Sequence, residues 1–390
     1  MSNKQNIYFA TPGRGFLKHF LKNNHIQAEF IWEESQIYGS SSRKHRLISK
    51  FVRLKIFSWL GLIQIVKPPK QYDLYGSCNR FLNTDKPYFI YVENPTALYH
   101  YCLGRNKTFL GKRKVTNSLN NPNLRALVFW SNICQNTFEV VCGKVPQGVI
   151  RKVIYNLVPR NNLVSPEAIK AKSYRKELNL LYCVQGMRFA SKGGLEIVNT
   201  LAYFNKILVG GGVILTIITN LDVIKPELRT KIKNSGITLL DFKFTPEQME
   251  KIYADTNILL QPTSDDSFGL TILEAMKGGC AVIASRLYAI PEMVKEGENG
   301  FLTDPAWWFF NLDGTPNPKV WNHRKKTIYS GKISDRIVSF LIDKILLLNN
   351  DRGLLEQMSI NSYEKANSAP FDEETITGQW NEVFREMGKI

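Results

Sequence analysis

Residues 258–305 read ILLQPTSDDSFGLTILEAMKGGCAVIASRLYAIPEMVKEGENGFLTDP, and this stretch decides the fold. An apolar run stops at Pro262, a polar loop follows, and Phe268-Gly269-Leu270 opens a helical pattern that carries Glu274. A strand that feeds a helix N-terminus is the building unit of an α/β domain. The first amides of such a helix have no intrahelical acceptor and sit at the positive end of its dipole, so the turn suits an anion such as a diphosphate. Gly269 lets a phosphate come close. Asp266 precedes the helix and Glu274 lies just over one turn beyond Leu270. Two acids astride a phosphate-binding turn can address both ends of a nucleotide diphosphate sugar, one the sugar and the other the ribose hydroxyls.

The same alternation spreads outward over the whole chain. In the first half, strands are expected over 7–10, 28–32, 88–92, 127–130 and 152–157, with helical patterns over 16–23 and 43–63. In the second half, strands over 178–184, 213–219, 237–242, 258–260 and 281–284 alternate with helices over 193–208, 246–253, 270–277, 335–348 and 373–387. Val158-Pro159-Arg160-Asn161-Asn162 breaks the pattern and marks the linker. Residues 305–332, with Trp307, Trp308, Phe309, Phe310 and Trp321, read as an aromatic, Asn/Pro-rich insertion. The division is therefore 1–160, 161–370 and a last helix at 371–390 that returns to the first domain through Trp380 and Phe384. Two open parallel sheets in tandem place a ligand site at the carboxyl ends of strands, in the cleft between them.

Composition narrows the class. A hydrophobic fraction of 44% over 390 residues supplies two cores and excludes a disordered chain. The 6 cysteines form no C-x-x-C pair and, with no secretory signal at the N-terminus, read as reduced cytosolic thiols. The most apolar stretch, residues 57–66, is about half the ~20 residues that span a bilayer. The charge is lopsided: residues 1–160 hold 24 Lys and Arg against 7 Asp and Glu, whereas residues 161–390 hold 27 against 27. The first domain is the one that meets something anionic.

With those residues in view, the chain resembles the retaining glycosyltransferases of family 4, the group 1 glycosyltransferases. The likeness is carried by Pro262, Phe268, Gly269, Leu270, Glu274, Ala275, Met276, Gly279, Val282, Ile283, Ala284, Ser285, Pro291, Glu292, Val294, Gly297, Asn299, Gly300 and Leu302. The family has Glu where this chain has Asp266, a shorter arm with the same charge. A second donor element of the family, a Gly-Arg followed by Lys-Gly, is matched by Gly186, Arg188, Lys192 and Gly193 after a buried strand. Here the two cations stand one residue closer than the family commonly places them, and Met187 intervenes. Two solvated surface cations are the lesser alternative for that pair.

The resemblance implies the GT-B fold, an α/β fold of two Rossmann-like domains facing across a cleft, the first binding the acceptor and the second the donor. It implies a retaining, metal-independent hexosyltransferase without a cofactor, using a UDP- or GDP-sugar. Asp266 would hold the transferred sugar and Glu274 the ribose. Arg188, Lys192 and the amides near Gly269 and Leu270 would stabilise the leaving diphosphate, with Phe268 and Thr271 completing the donor turn. The acceptor hydroxyl would attack from the side of the leaving group, and the departing phosphate would take its proton. Gly13 and Gly15 stand where the family keeps a glycine-rich loop near the donor phosphates, and an ordinary turn explains them equally well.

Glu93 ends the expected strand at 88–92, where a carboxylate can orient an acceptor hydroxyl; Asn94 reads as a turn cap before Pro95. His100 has no local motif and reads as structural. The remaining histidines lack metal-ligand spacing, so no metal site is expected. The pattern over 43–63 mixes cations with Phe51, Phe57 and Trp59 and suits either an anionic bilayer surface or ordinary packing. The acceptor is expected to be a lipid-linked sugar or a surface glycan at the inner face of the cell membrane, placing the enzyme in the cytoplasm as a peripheral protein. A sugar-nucleotide epimerase of the same fold and a basic nucleic-acid-binding module are the alternatives, and no nucleic-acid motif supports the latter. Nothing in the sequence sets the oligomeric state.

Overall fold

The computed structural model describes residues 5–13, 17–34, 55–207 and 212–388. Gly15 and most of the basic pattern at 43–63 lie outside them. The chain divides into two compact units. One comprises the residues up to Pro159 with Asp313–Pro316 and the segment from Pro370; the other comprises Arg160–Leu312 and Asn317–Ala369.

The first unit contains β1 (Gln5–Gly13), β2 (Ala28–Glu34), β3 (Ile65–Val66), β4 (Leu74–Cys78), β5 (Phe81–Leu82), β6 (Tyr88–Val92), β7 (Leu124–Phe129) and β8 (Ile150–Val153). Six of these form a parallel sheet in the order β2-β1-β4-β6-β7-β8, and β3 pairs with β5. Every residue of β4 and β6 is buried, as expected of parallel strands covered on both faces. Strand β4 was not among the expected strands, because Leu74-Tyr-Gly-Ser-Cys78 has no β-branched residue and its small Gly76 weakens a strand reading. Packing explains Gly76: a Cβ there would lie 2.4 Å from the Phe89 ring and 2.9 Å from Phe9. Strand β1 also continues past the expected stop at 10, to Gly13. Its ladder to β2 is irregular between Phe9 and Gly13, so Pro12 sits where its missing N–H costs no ladder bond. Helices Phe109–Leu119 and Asn132–Cys142, also unforeseen, start at Thr108 and Ser131, whose side chains accept from Gly111 N–H and Cys134 N–H.

The helix Glu373–Met387 completes this unit's core. Trp380 is 1% exposed, with its ring 4.5 Å from Phe20, 5.2 Å from Tyr91 and 5.4 Å from Phe89. Phe384 stacks on Trp380 and packs against Phe30. Trp380→Ala is expected to cost about 3–5 kcal/mol by urea denaturation, the range for emptying a buried aromatic site. A loss below about 1 kcal/mol would mean that the helix is peripheral to this core.

The second unit is built on β9 (Leu178–Cys183), β10 (Val213–Thr219), β11 (Thr238–Asp241), β12 (Ile258–Gln261), β13 (Ala281–Ser285) and β14 (Gly300–Thr303). They form a parallel sheet in the order β11-β10-β9-β12-β13-β14. Strands β12, β13 and β14 are buried throughout, and helices Gly194–Ile207 and Asp335–Asn350 pack their apolar stripes on the sheet. The aromatic insertion holds only short helical pieces, Pro318–Trp321 and Arg324–Lys326. Phe309 stacks on Trp321 at 4.1 Å, and Arg324 lies 4.7 Å over the same indole. Phe310 packs on Tyr288 at 4.2 Å, so the insertion caps the second unit with its aromatics.

Candidate functional site

The strand order of the second unit reverses between β9 and β12, and a doubly wound sheet binds its ligand beyond the carboxyl ends of the strands at such a reversal. Two loops emerge there. The one after β9 carries Arg188, Ser191, Lys192 and Gly193; the one after β12 carries Pro262, Ser264, Asp265, Asp266 and Gly269. They are stitched together. Ser264 N–H donates to Ser191 O at 2.9 Å, and Ser191 Oγ donates to Asp265 Oδ2 at 3.2 Å. Arg188 Nε stands 3.9 Å from the same Asp265 oxygen. Gly193 makes the approach possible: its φ is +85°, and a Cβ there would lie 2.4 Å from Pro262 O. Gly193→Ala is expected to destabilise the protein by about 2–4 kcal/mol, combining left-handed strain with backbone overlap, measured as a fall in the urea midpoint.

Lys192 and Asp266, which the sequence places 74 positions apart, form an ion pair at 2.7 Å. Their side chains are only 14% and 12% exposed. Burial opposes ionisation of Asp266, but the charge and hydrogen bond of Lys192, with Arg188 and the Phe268 amide, outweigh it and hold the carboxyl below its usual value. The other Asp266 oxygen accepts Gly269 N–H at 3.0 Å. The expected roles shift accordingly. The Gly269 amide already has an acceptor in Asp266, so of the first-turn amides those of Leu270 and Thr271 remain without an intrahelical acceptor. Both Asp266 oxygens are engaged, so any contact with a sugar must use their remaining lone pairs. Gly269 adopts φ +88° as the cap of helix Leu270–Lys277, and Phe268 just before it is buried at 3% exposure.

Glu274 lies on that helix, partly buried, and accepts from Tyr253 OH at 2.8 Å. Burial pushes its carboxyl up to about 7, against the lowering effect of the Tyr253 bond. Near neutrality it is therefore poised between a proton donor and an acceptor for hydroxyl groups.

The first unit holds the other candidates. Its sheet reverses between β1 and β4, so Gly13, the last residue of β1, and Asn79, directly after β4, stand at its own switch point. Glu93, at the end of β6, accepts from Asn79 Nδ2 at 3.2 Å and Tyr101 OH at 3.0 Å, while its N–H donates to Asn79 Oδ1 at 2.8 Å. Asn79, His100 and Tyr101 have φ of 59°, 56° and 54°, left-handed backbones that non-glycine residues seldom adopt. His100 follows a short 3-10 turn at Pro95–Tyr99 as its C-cap. Asn94 caps that turn by conformation without a side-chain bond to its backbone; its Oδ1 accepts from Thr96 Oγ1.

The motif reading assigned no part to Asp265, Ser191 or Tyr253. The paired Asp265-Asp266 was the one available sign that this loop would engage two cations. For Tyr253 there was no sign, since it lies on the neighbouring helix Pro246–Asp255. Among the described residues, no group of three or more His, Cys, Asp or Glu is placed to hold a metal ion.

Residues 195–307 match the family described as Glycosyl transferases group 1. The D-inositol 3-phosphate glycosyltransferase of Corynebacterium efficiens is 39% identical over 66 residues, which is 16% of this chain and 16% of that protein. The GtfA subunit of the UDP-N-acetylglucosamine–peptide N-acetylglucosaminyltransferase of Streptococcus gordonii is 24% identical over 162 residues, 41% of this chain and 27% of that one. These alignments thus span well under two thirds of the curated relatives. The solved Anabaena HepE, in complex with UDP and glucose, superimposes with a TM-score of 0.59 at 18% identity, covering 98% of this chain and 99% of that one.

Proposed function

From the premise that the chain has the GT-B fold and carries a group 1 glycosyltransferase domain, we propose that it moves a hexosyl group from a UDP- or GDP-sugar to an acceptor hydroxyl, with retention and without a metal. The observation that carries this is the pair of loops at the β9/β12 reversal, which gathers Lys192, Arg188 and a helix N-terminus at one place. Such a constellation stabilises charge that grows on a leaving diphosphate. Lys192 and Arg188 meet the phosphates together with the Leu270 and Thr271 amides. Asp266 holds Lys192 in place through their ion pair, and contacts the transferred sugar. Glu274 accepts the ribose hydroxyls. Gly13 and Glu93 belong to the first unit, where Glu93 orients the acceptor hydroxyl. HepE, whose structure carries UDP and glucose, supports a uridine donor.

The acceptor is a lipid-linked sugar or surface glycan, met by the enzyme as a peripheral protein at the inner face of the cell membrane. No described helix is long and apolar enough to cross a membrane. A patch that suits the surface of an anionic bilayer supports this reading. Ile56, Trp59 and Phe109 are 60%, 67% and 75% exposed. The turn after Lys55–Trp59 meets helix Phe109–Leu119 backbone to backbone, since a Cβ on Gly61 would lie 2.2 Å from Gly111 N. Lys107 precedes this helix and Lys112, Arg113 and Lys114 lie on it, all exposed, and Lys114 Nζ donates to Leu60 O at 3.3 Å beside the Lys55–Trp59 helix. Amphipathic surfaces of this kind bind through apolar insertion and attraction to anionic lipid.

The test is product analysis with donor and EDTA present, using a lipid-linked sugar as acceptor. The expected product keeps the donor's anomeric configuration by NMR. In parallel, the protein is expected to sediment with phosphatidylglycerol vesicles at low salt, and Trp59→Ala with Phe109→Ala to weaken that binding at least tenfold. An inverted product would refute retention, and vesicle binding unchanged in the double variant would remove the membrane face.

A further inference from the structure

Tyr253 lies in the second unit, on helix Pro246–Asp255, outside the motif segments 183–194 and 258–305. It is 4% exposed, and its hydroxyl gives its hydrogen bond to Glu274 Oε2. Its backbone is pinned from behind. A Cβ on Gly278 would stand 2.6 Å from Tyr253 Cβ, so the end of helix Leu270–Lys277 is pressed against the end of helix Pro246–Asp255. Cys280 Sγ lies 3.3 Å from both Tyr253 O and Thr256 O. Lys172, 2% exposed, donates from Nζ to Ala254 O at 3.1 Å, Thr256 O at 2.7 Å and Gly278 O at 2.7 Å. One buried ammonium thus ties the helix end that carries Tyr253 to the helix end that follows Glu274. A phenol this restrained can aim a carboxylate with little entropy left to lose.

We propose that Tyr253 is a positioning residue for donor recognition: it holds Glu274 Oε2 and thereby fixes the carboxylate so that Oε1 receives the vicinal diol of the donor's ribose. This rests on the reading of Glu274 as the ribose acceptor and adds that the pair, rather than Glu274 alone, sets affinity for the diol. The titratable groups around the pair are Cys183 at the end of β9, Cys280 before β13, and Lys172 behind Tyr253; Lys192 acts on Cys183. Burial pushes both thiols up, so they stay neutral near pH 7. The group that titrates there is Glu274, and the Tyr253 bond favours its ionised form. Removing the hydroxyl raises the carboxyl further and leaves it free to turn.

The experiment is calorimetric binding of UDP and 2′,3′-dideoxy-UDP, and of the matching guanosine pair, to wild type, Tyr253→Phe and Glu274→Ala across pH 5.5–8.5. Tyr253→Phe keeps the ring volume, and its unfolding midpoint verifies that it is folded. The expected result is a loss of about tenfold in affinity for the diol nucleotide at pH 7, the scale of one hydrogen bond to a charged group. The pH midpoint of binding is expected to move upward, with no change for the dideoxy nucleotide. A Tyr253→Phe curve that overlays wild type would overturn the proposal, and so would an equal loss for diol and dideoxy nucleotides, which marks a merely structural role. If Glu274→Ala itself leaves diol binding unchanged, or no nucleotide binds, the ribose reading falls and the inference with it. Weakened Glu274→Ala beside an unaffected Tyr253→Phe sinks the inference alone.

Discussion

Glu274→Ala is expected to weaken binding of the nucleotide-sugar donor by about 10²- to 10⁴-fold while leaving the fold intact. The carboxylate is proposed to take two hydroxyl hydrogen bonds from one ribose, and bonds to a charged group are worth about 1.5–3 kcal/mol each. Because burial pushes the carboxyl up to about 7, wild-type affinity is expected to rise with pH through that value, as the free site gives up its proton and the carboxylate accepts the diol. The variant's affinity is expected to be flat over the same range. Stability without donor runs the other way. A carboxyl raised in the folded state contributes stability below its ordinary value of 4.5, and that contribution is lost as pH rises through about 7. Titration calorimetry and urea melts at several pH values measure both slopes. A wild-type affinity independent of pH would remove Glu274 from the ribose.

Lys192→Ala is expected to lower kcat by about 10²–10³-fold, the range for deleting one preorganised group that stabilises a leaving oxyanion. It also strands Asp266, whose side chain is 12% exposed. Breaking such a buried pair from one side costs about 3–5 kcal/mol. Asp266 is held below its usual value, so the pair's stability is present above the ordinary value of 3.8 and is lost as pH falls through the depressed one. Lys192→Ala with Asp266→Ala is expected to recover much of the stability and none of the rate, a non-additivity that double-mutant cycles read directly. Were the double variant to regain turnover, Lys192 would be only a counter-ion.

What was legible in the sequence follows from which constraints are local. Gly269 at φ +88° and Gly193 at φ +85° are backbone requirements that only glycine meets easily, so the turns around them show as fixed letters in the chain. The buried strands β9, β12 and β13 read plainly because short apolar runs bounded by turn residues have few other uses. Strand β4 did not, since Gly76 is chosen by its contact with Phe89 and not by strand propensity. The Lys192–Asp266 pair and the Tyr253–Glu274 bond were invisible for the same reason: each joins segments that only tertiary packing brings together. Asp266 was recognised as an acid of the donor motif, but its duties as cap of the Gly269 turn and partner of Lys192 appear only in three dimensions. Of the first-half candidates, Gly15 lies outside the described residues, Gly13 ends β1, and Glu93 is bound into the Asn79–Tyr101 cluster.

The most direct measurement is the melting temperature of the wild-type protein with UDP-, GDP- and ADP-glucose in EDTA. A ligand at 100 times its dissociation constant adds about 2.7 kcal/mol, a shift of several degrees or less in a protein of this size and readily measured. A donor site at the β9/β12 reversal predicts that one nucleotide class, UDP or GDP, raises the melting temperature without metal and that the others do not. No shift from any of the three at millimolar concentration would contradict it.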